Sequence, residues 1–134
     1  MTLSPCICNS FRIAARKIST LYDAELERFG INIAQYSLLR AIKAHQPISY
    51  TQLGQQSALE RSTIGRNVGI LEKKTLVSTR RGSEDQREIL VSLTENGEKI
   101  LHDIFPVWRK CQNDLMDKMG KDKMNALNDI FSHL

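Results

Sequence analysis

Apolar residues recur at helical spacing along the first stretch of the chain, at Phe11, Ala14, Ala15, Ile18, Leu21, Tyr22, Leu26 and Phe29. That periodicity predicts an amphipathic helix over about residues 8 to 28. Gly30 should stop it, because glycine takes the left-handed conformation of a helix end without penalty. Asn32 can cap a second helix carrying Tyr36, Leu38, Leu39 and Ile42, which should end near His45, ahead of Pro47. Ile48 reads as a short extended residue, and Thr51 as the cap of a third helix, QLGQQS. A tight break at Ala58-Leu59-Glu60 then opens a fourth helix over about Arg61 to Lys74, with Ile64, Val68 and Leu71 as its buried stripe.

The period then changes from helical to two. Leu76 to Arg81, and Ile89, Val91 and Leu93 alternating along the next run, predict two strands. Gly82 and Asp85 lie between them, where turn chemistry belongs. Thr94 should cap a long helix whose apolar positions Leu101, Ile104, Trp108, Cys111 and Leu115 step by three and four. Such a heptad-like seam wants a partner helix along its length. Pro106 should kink this helix by removing one backbone donor. Met124, Leu127, Ile130, Phe131 and Leu134 mark a last helix. The expected fold is mainly α with a small β-hairpin wing, a winged helix-turn-helix between N- and C-terminal helices. One domain over 1–134 is expected, with the winged helix at 32–93 and dimerisation helices at 1–31 and 94–134. A homodimer would cover the apolar faces that a small core leaves bare.

Charge sharpens this picture. Residues 61–87 hold seven basic side chains against three acidic ones, a net of +4, which equals the formal charge of the whole 134-residue chain. The remainder therefore balances. Duplex DNA carries one negative charge per roughly 1.7 Å of axis and rewards a concentrated cationic surface. A helix sized for a major groove beside an arginine-rich hairpin is the layout of a DNA reader.

The whole chain resembles the MarR family of bacterial regulators (multiple-antibiotic-resistance regulator type). The residues that carry the resemblance are Gln35-Tyr36-Ser37-Leu38-Leu39, Arg61-Ser62-Thr63-Ile64-Gly65-Arg66, and Asp85-Gln86-Arg87 leading to Val91-Ser92-Leu93-Thr94. The last group matches the family's D-x-R wing and its V-x-L-T approach to a long helix. The resemblance implies a dimeric repressor or activator on a pseudo-palindromic operator, released by a small molecule or by thiol oxidation. Ser62, Thr63 and Arg66 match positions that face the major groove. Arg87 matches the wing arginine that enters the minor groove, and Asp85 orients it or pairs with a basic residue nearby. With Thr51, Arg61, Asn67, Arg80 and Arg81 these form the expected DNA-contacting set. Three positions depart from the family pattern: Gly65 stands for a usual Ser or Thr, Thr75 for a glycine at the helix end, and Ser57 for an apolar residue.

The three cysteines raise the question of a signal. Cys6 and Cys8 lie near the start of the first helix and Cys111 on the long seam. A thiol at a helix N-terminus is expected to be the more reactive. Oxidation at Cys6 or Cys8, with or without a bond to Cys111, is one candidate switch. A soft-metal site using all three thiols is a second. An organic anion between the outer helices and the reading domain is a third, with Tyr36, Arg16 and Trp108 as candidate lining residues.

Other classes find little in the sequence. His45, His102 and His133 lack metal-ligand spacing, and there is no phosphate-cradling glycine loop or nucleophile elbow. No cofactor or enzymatic activity is expected, a thiol enzyme at Cys6 or Cys8 being the competing idea. No apolar run nears the roughly 20 residues that span a bilayer, and MTLSPCICNS lacks the character of a secretion signal. A cytoplasmic protein is expected. A sequence-indifferent architectural DNA binder would share the salt dependence but not the operator preference.

Overall fold

The computed structural model describes residues 3–57 and 59–134. Ala58, expected within the break before the fourth helix, lies outside the described residues. Helix α1 spans Ile7–Leu26 and gives way to a 3₁₀ turn, Glu27–Phe29. Gly30 then adopts φ 76°, so the expected glycine stop is realised. Helix α2 covers Ile33–His45. Asn32 accepts from the Gln35 N–H at 2.9 Å while the Gln35 side chain accepts from the Asn32 N–H at 3.1 Å. This reciprocal capping box satisfies two donors that a helix start leaves orphaned.

The cap of the third helix lies elsewhere than expected. Strand β1, Ile48–Ser49, runs directly into helix α3, Tyr50–Gln56. Ser49 is the cap: its hydroxyl accepts from the Gln52 N–H at 3.1 Å, and Gln52 returns the bond to the Ser49 N–H at 3.2 Å. Ser49-x-x-Gln52 forms the reciprocal box, which places Thr51 inside the first turn with its side chain exposed.

Helix α4, Arg61–Lys73, follows, then strands β2, Val77–Arg81, and β3, Ile89–Leu93. The sheet is antiparallel in the order β1-β3-β2. Val91 faces Ile48 on one side and Thr79 on the other, so residues that share its face point at the helices. Leu38, Leu39, Ile42, Leu53, Ile64, Val68, Leu71 and Val91 are all fully buried, and the predicted stripe of α4 is the part that meets this core. Burial of each such side chain is worth about 1.5–3 kcal/mol, which fixes the angle at which α4 presents its other face.

Thr94 caps helix α5, Glu95–Met119, by accepting from the Gly97 N–H at 3.0 Å. The helix is continuous across Pro106. Its heptad-like seam is covered from within the chain: Ile104 is fully buried, and Leu101, Trp108, Cys111 and Leu115 pack against a core that includes Tyr22 and Leu26 of α1. The Tyr22 hydroxyl also donates to the Gln112 side chain. Helix α6, Lys121–Ser132, contributes no buried residue. Ile7, Phe11, Ile130, Phe131 and Leu134 remain exposed, Ile7 by 74% and Phe131 by 63%. Among the described residues no helix is long and apolar enough to cross a membrane.

Candidate nucleic-acid interface

Burying Ile64, Val68 and Leu71 turns the opposite side of α4 outward. Ser62 and Arg66 are exposed there, Arg61 is exposed as the first residue of the helix, Thr63 is half-buried on the flank, and Lys73 closes the last turn. Arg61 and Arg66 make no side-chain hydrogen bond or ion pair among the described residues, so both cations remain available to a partner.

Asn67 departs from the expectation. It is only 9% exposed, and its side-chain oxygen accepts from Gln35 Nε2 at 3.2 Å. A period of 3.6 places position 67 beside Ile64, Val68 and Leu71 rather than beside Arg66. Asn67 therefore joins the interior of α4 to the first turn of α2 through its side-chain oxygen. Gln35 thus serves twice, in the cap of α2 and in this lock.

The hairpin is the second component. Its loop is tied by Gly82 N–H to Glu88 C=O at 2.9 Å and by Glu88 N–H to Asp85 C=O at 3.1 Å. Asp85 Oδ1 accepts from the Arg87 N–H at 3.0 Å and lies 3.7 Å from Arg87 Nε, so it both shapes the turn and faces the arginine. The Arg87 side chain is 95% exposed. Arg81, also exposed, donates to the Gln86 carbonyl at 2.8 Å and braces the loop. Arg80, opposite Leu90 in the register, is exposed on the other face. Thr79 donates to Glu72 of α4 at 2.5 Å and fastens the hairpin to that helix.

Two features invisible in a residue pattern fix the surroundings of α4. The first is a joint between α4 and α5. Thr75 takes φ 64°, the left-handed conformation expected of the residue standing in for glycine. The Thr94 hydroxyl donates to the Thr75 carbonyl at 2.5 Å, Asn96 Nδ2 donates to the Thr75 hydroxyl at 3.2 Å, and the Leu76 carbonyl accepts from the Thr94 N–H at 3.1 Å. Gly97 comes so close that a Cβ there would sit 2.1 Å from the Leu76 oxygen. The second is Tyr50, whose ring would lie 3.7 Å from a Cβ on Gly65. The aromatic ring covers the flank where the family's usual Ser or Thr side chain is absent. Burial, then the Glu72 carboxylate, pushes the Tyr50 hydroxyl pKa up, so it stays a neutral donor.

Between α2 and α5 lies a cleft of about 580 Å³ lined by Tyr36, Arg40, Lys43, Glu98, His102 and Phe105, among others. The Arg40 guanidinium sits 4.4 Å over the Trp108 ring. Lys43 bonds Glu98 at 2.5 Å, which holds the Glu98 carboxyl below its ordinary range. Of the three residues expected to line an anion site, Tyr36 lines this cleft, Trp108 stacks behind it, and Arg16 is on the exposed side of α1.

Cys6 is the cap residue of α1 and Cys8 lies in its first turn; both are exposed, and Cys111 is half-buried. Burial, then Glu25 and Asp114, pushes the Cys111 thiol pKa up. No three His, Cys, Asp or Glu side chains converge among the described residues. The three thiols of one chain therefore do not build the soft-metal site.

A family model described as transcriptional regulator SarA/Rot matches residues 20–104. The HTH-type transcriptional regulator SarZ of Staphylococcus epidermidis is 31% identical over 128 residues, 96% of this chain and 86% of that protein. The transcriptional regulator MosR of M. tuberculosis, solved in complex with DNA, superposes with a TM-score of 0.84 at 28% identity, over 95% of this chain and 92% of that one. A mutant MarR from E. coli complexed with operator DNA superposes with a TM-score of 0.83 at 20% identity, over 95% and 91% of the two chains. The winged-helix fold and the resemblance read from the sequence are both borne out.

Proposed function

Because the chain belongs to the SarA/Rot family of transcriptional regulators, we propose that it is a homodimeric, sequence-specific DNA-binding regulator acting as a repressor in the cytoplasm. The observation that carries this reading is the pairing of two exposed cationic elements on one rigid frame. The free face of α4 holds Ser62 and Arg66, with Arg61 exposed at the start of the helix, and the wing fastened to it by Thr79–Glu72 holds Arg80 and a 95%-exposed Arg87. Arg66 reads a base edge in the major groove, Ser62 and Thr63 meet phosphates or base edges, and Arg87 enters the minor groove with Asp85 as its guide. Thr51, exposed at the start of α3, contacts the backbone, whereas Arg81 and the inward-turned Asn67 support the frame. Residues 32–93 are the DNA-binding part. The apolar residues left bare on α1 and α6 support segments 1–31 and 94–134 as the dimer interface, which sets two half-sites about one helical turn apart. That the family and these relatives are transcriptional regulators points away from an enzyme.

Binding answers to a signal, and oxidation of the exposed Cys6 or Cys8 is the first candidate. The cleft between α2 and α5 favours a second: its Arg40, Lys43 and His102 around aromatic walls suit an organic anion. The deciding experiment is selection of duplexes from a randomised library, then fluorescence anisotropy on the enriched duplex and on random DNA. Reduced and peroxide-treated protein are compared, the latter also after reductant. Strong preference for the enriched duplex that oxidation abolishes and reductant restores supports the thiol-switched regulator. Preference indifferent to oxidation in a Cys6→Ser, Cys8→Ser protein and in the unaltered one removes the thiol switch and leaves the cleft. No enrichment of any sequence refutes the regulator.

A further inference from the structure

The fold accounts for most of the chain's glycines. Gly30 and Gly120 take positive φ, and Gly82 and Gly97 lie where a Cβ would come within 2.7 and 2.1 Å of a backbone carbonyl. Gly54 and Gly65 face Ile64 and Tyr50 at ordinary contact distance. Gly69 is different. It sits in the middle of α4, and a Cβ there would meet nothing within 4 Å among the described residues. Nothing inside the folded chain makes use of the missing side chain, although a glycine within a helix is less stable than alanine because it gives up more backbone freedom.

Its position supplies the use. Residues 62, 66, 69 and 73 step by four, three and four, so they share one face of α4, opposite Ile64, Val68 and Leu71. Gly69 is therefore a gap in the face formed by Ser62, Arg66 and Lys73, all exposed. A bare helix turn between two cations lets another molecule press against the backbone itself, the use of glycine for close approach. An anionic, grooved partner fits that gap; a flat or anionic protein surface gains nothing from the missing methyl group.

We infer that Gly69 is a specificity-determining position of the DNA interface, and this rests on the proposed regulator function. Duplex DNA packs against the uncovered turn of α4, and that close seat brings Arg66 and Ser62 to hydrogen-bonding distance of base edges. A methyl group at position 69 would hold the helix off the groove without altering the charge.

The test is Gly69→Ala, measured by thermal melting without DNA and by anisotropy on the library-enriched duplex and on random duplex. The free protein should melt about 3–5 °C higher, as expected when a helical glycine with open space at its Cβ position becomes alanine in a chain of this size. Affinity for the enriched duplex should fall about tenfold or more, the equivalent of weakened base contacts in the dimer. Binding to random duplex, and its salt dependence, should stay as in the unaltered protein, because no cation has been removed. A higher melting temperature with unchanged affinity for the enriched duplex would overturn the inference alone. So would an equal loss on both duplexes, or a lower melting temperature, which would mean that the fold itself needs the glycine. If the unaltered protein enriches no sequence, the regulator reading falls and this inference falls with it.

Discussion

Replacing Arg66 by alanine separates base reading from charge attraction. The side chain is exposed on α4 and makes no intramolecular hydrogen bond or ion pair among the described residues. Its loss should leave folding stability within about ±0.5 kcal/mol, as for other surface positions without a special role. In the proposed homodimer the effect on DNA is counted twice, once for each subunit. A bidentate arginine–guanine contact discriminates by about 1–3 kcal/mol, so two of them amount to about 2–6 kcal/mol, roughly 30-fold to 10⁴-fold in affinity for the selected duplex. The salt dependence gives the second axis. If each subunit neutralises about four phosphates, the dimer's log–log slope is near roughly −7, and losing one phosphate contact per subunit would reduce it by about 1.8. A base-reading Arg66 therefore predicts a large loss on the selected duplex, a small one on random duplex, and an unchanged slope on the selected one. Anisotropy titrations between about 50 and 200 mM salt resolve the difference. Equal losses on both duplexes with a shallower slope would make Arg66 a phosphate contact. No loss on either would remove the outward face of α4 from the interface and refute the argument that burial of Ile64, Val68 and Leu71 aims this residue at DNA.

Gly97→Ala puts a Cβ 2.1 Å from the Leu76 carbonyl oxygen and should destabilise the protein by about 2–4 kcal/mol through overpacking and disturbance of the Thr94 cap. A urea melt unchanged within experimental error would show that the joint yields freely. Limited alkylation near neutral pH, mapped by peptide mass, should modify the exposed Cys6 and Cys8 before Cys111. Cys111 is half-buried, and its raised pKa leaves less thiolate; comparable rates at all three would refute that order. For Glu98 the folded pKa lies below the ordinary carboxylate value, chiefly through the Lys43 hydrogen bond. Its contribution is present above the unfolded pKa and lost as pH falls through the folded one. The melting advantage of the unaltered protein over Glu98→Gln should therefore shrink on acidification below about pH 4.5, and an advantage that grows would contradict the Lys43 pairing.

The helices are legible in the sequence where a single period and a single cap coincide. Asn32 ahead of Tyr36, Leu38, Leu39 and Ile42, and Gly30 at the end of the preceding turn, are local signals, and the structure uses both. The stripe of α4 is legible for the same reason. The cap of α3 is not, because both Ser49 and Thr51 carry a suitable hydroxyl. What decides for Ser49 against the expected Thr51 is the reciprocal bond from Gln52, three residues after Ser49. Asn67 misleads because its residue type invites a base contact. Its helical angle, equally available in the sequence, assigns it to the core side of α4, although its partner Gln35 lies thirty-two positions away.

The seam of α5 shows how far a pattern can go. Steps of three and four state that a helix must lie along Leu101, Ile104, Trp108, Cys111 and Leu115, but a period carries no information about which helix. Within the chain α1 and α2 meet that need, with Tyr22 bonded to Gln112. The apolar surface left over includes Ile7 and Phe11 towards one end of the chain, Ile130, Phe131 and Leu134 towards the other, and Leu21, Phe105 and Met116 along α1 and α5. The proposed dimer can therefore draw on the terminal residues and on the outward edges of α1 and α5. The joint at Thr75 links α5 to the end of α4. Gly97 is pressed against Leu76, and Thr94 and Asn96 bind Thr75, so the first turn of α5 cannot tilt without disturbing the end of α4. A signal that repacks the terminal helices would reach the face that holds Arg66 along the length of α5 and through this joint. Contacts of this kind join residues about twenty positions apart through backbone carbonyls, which no side-chain pattern records.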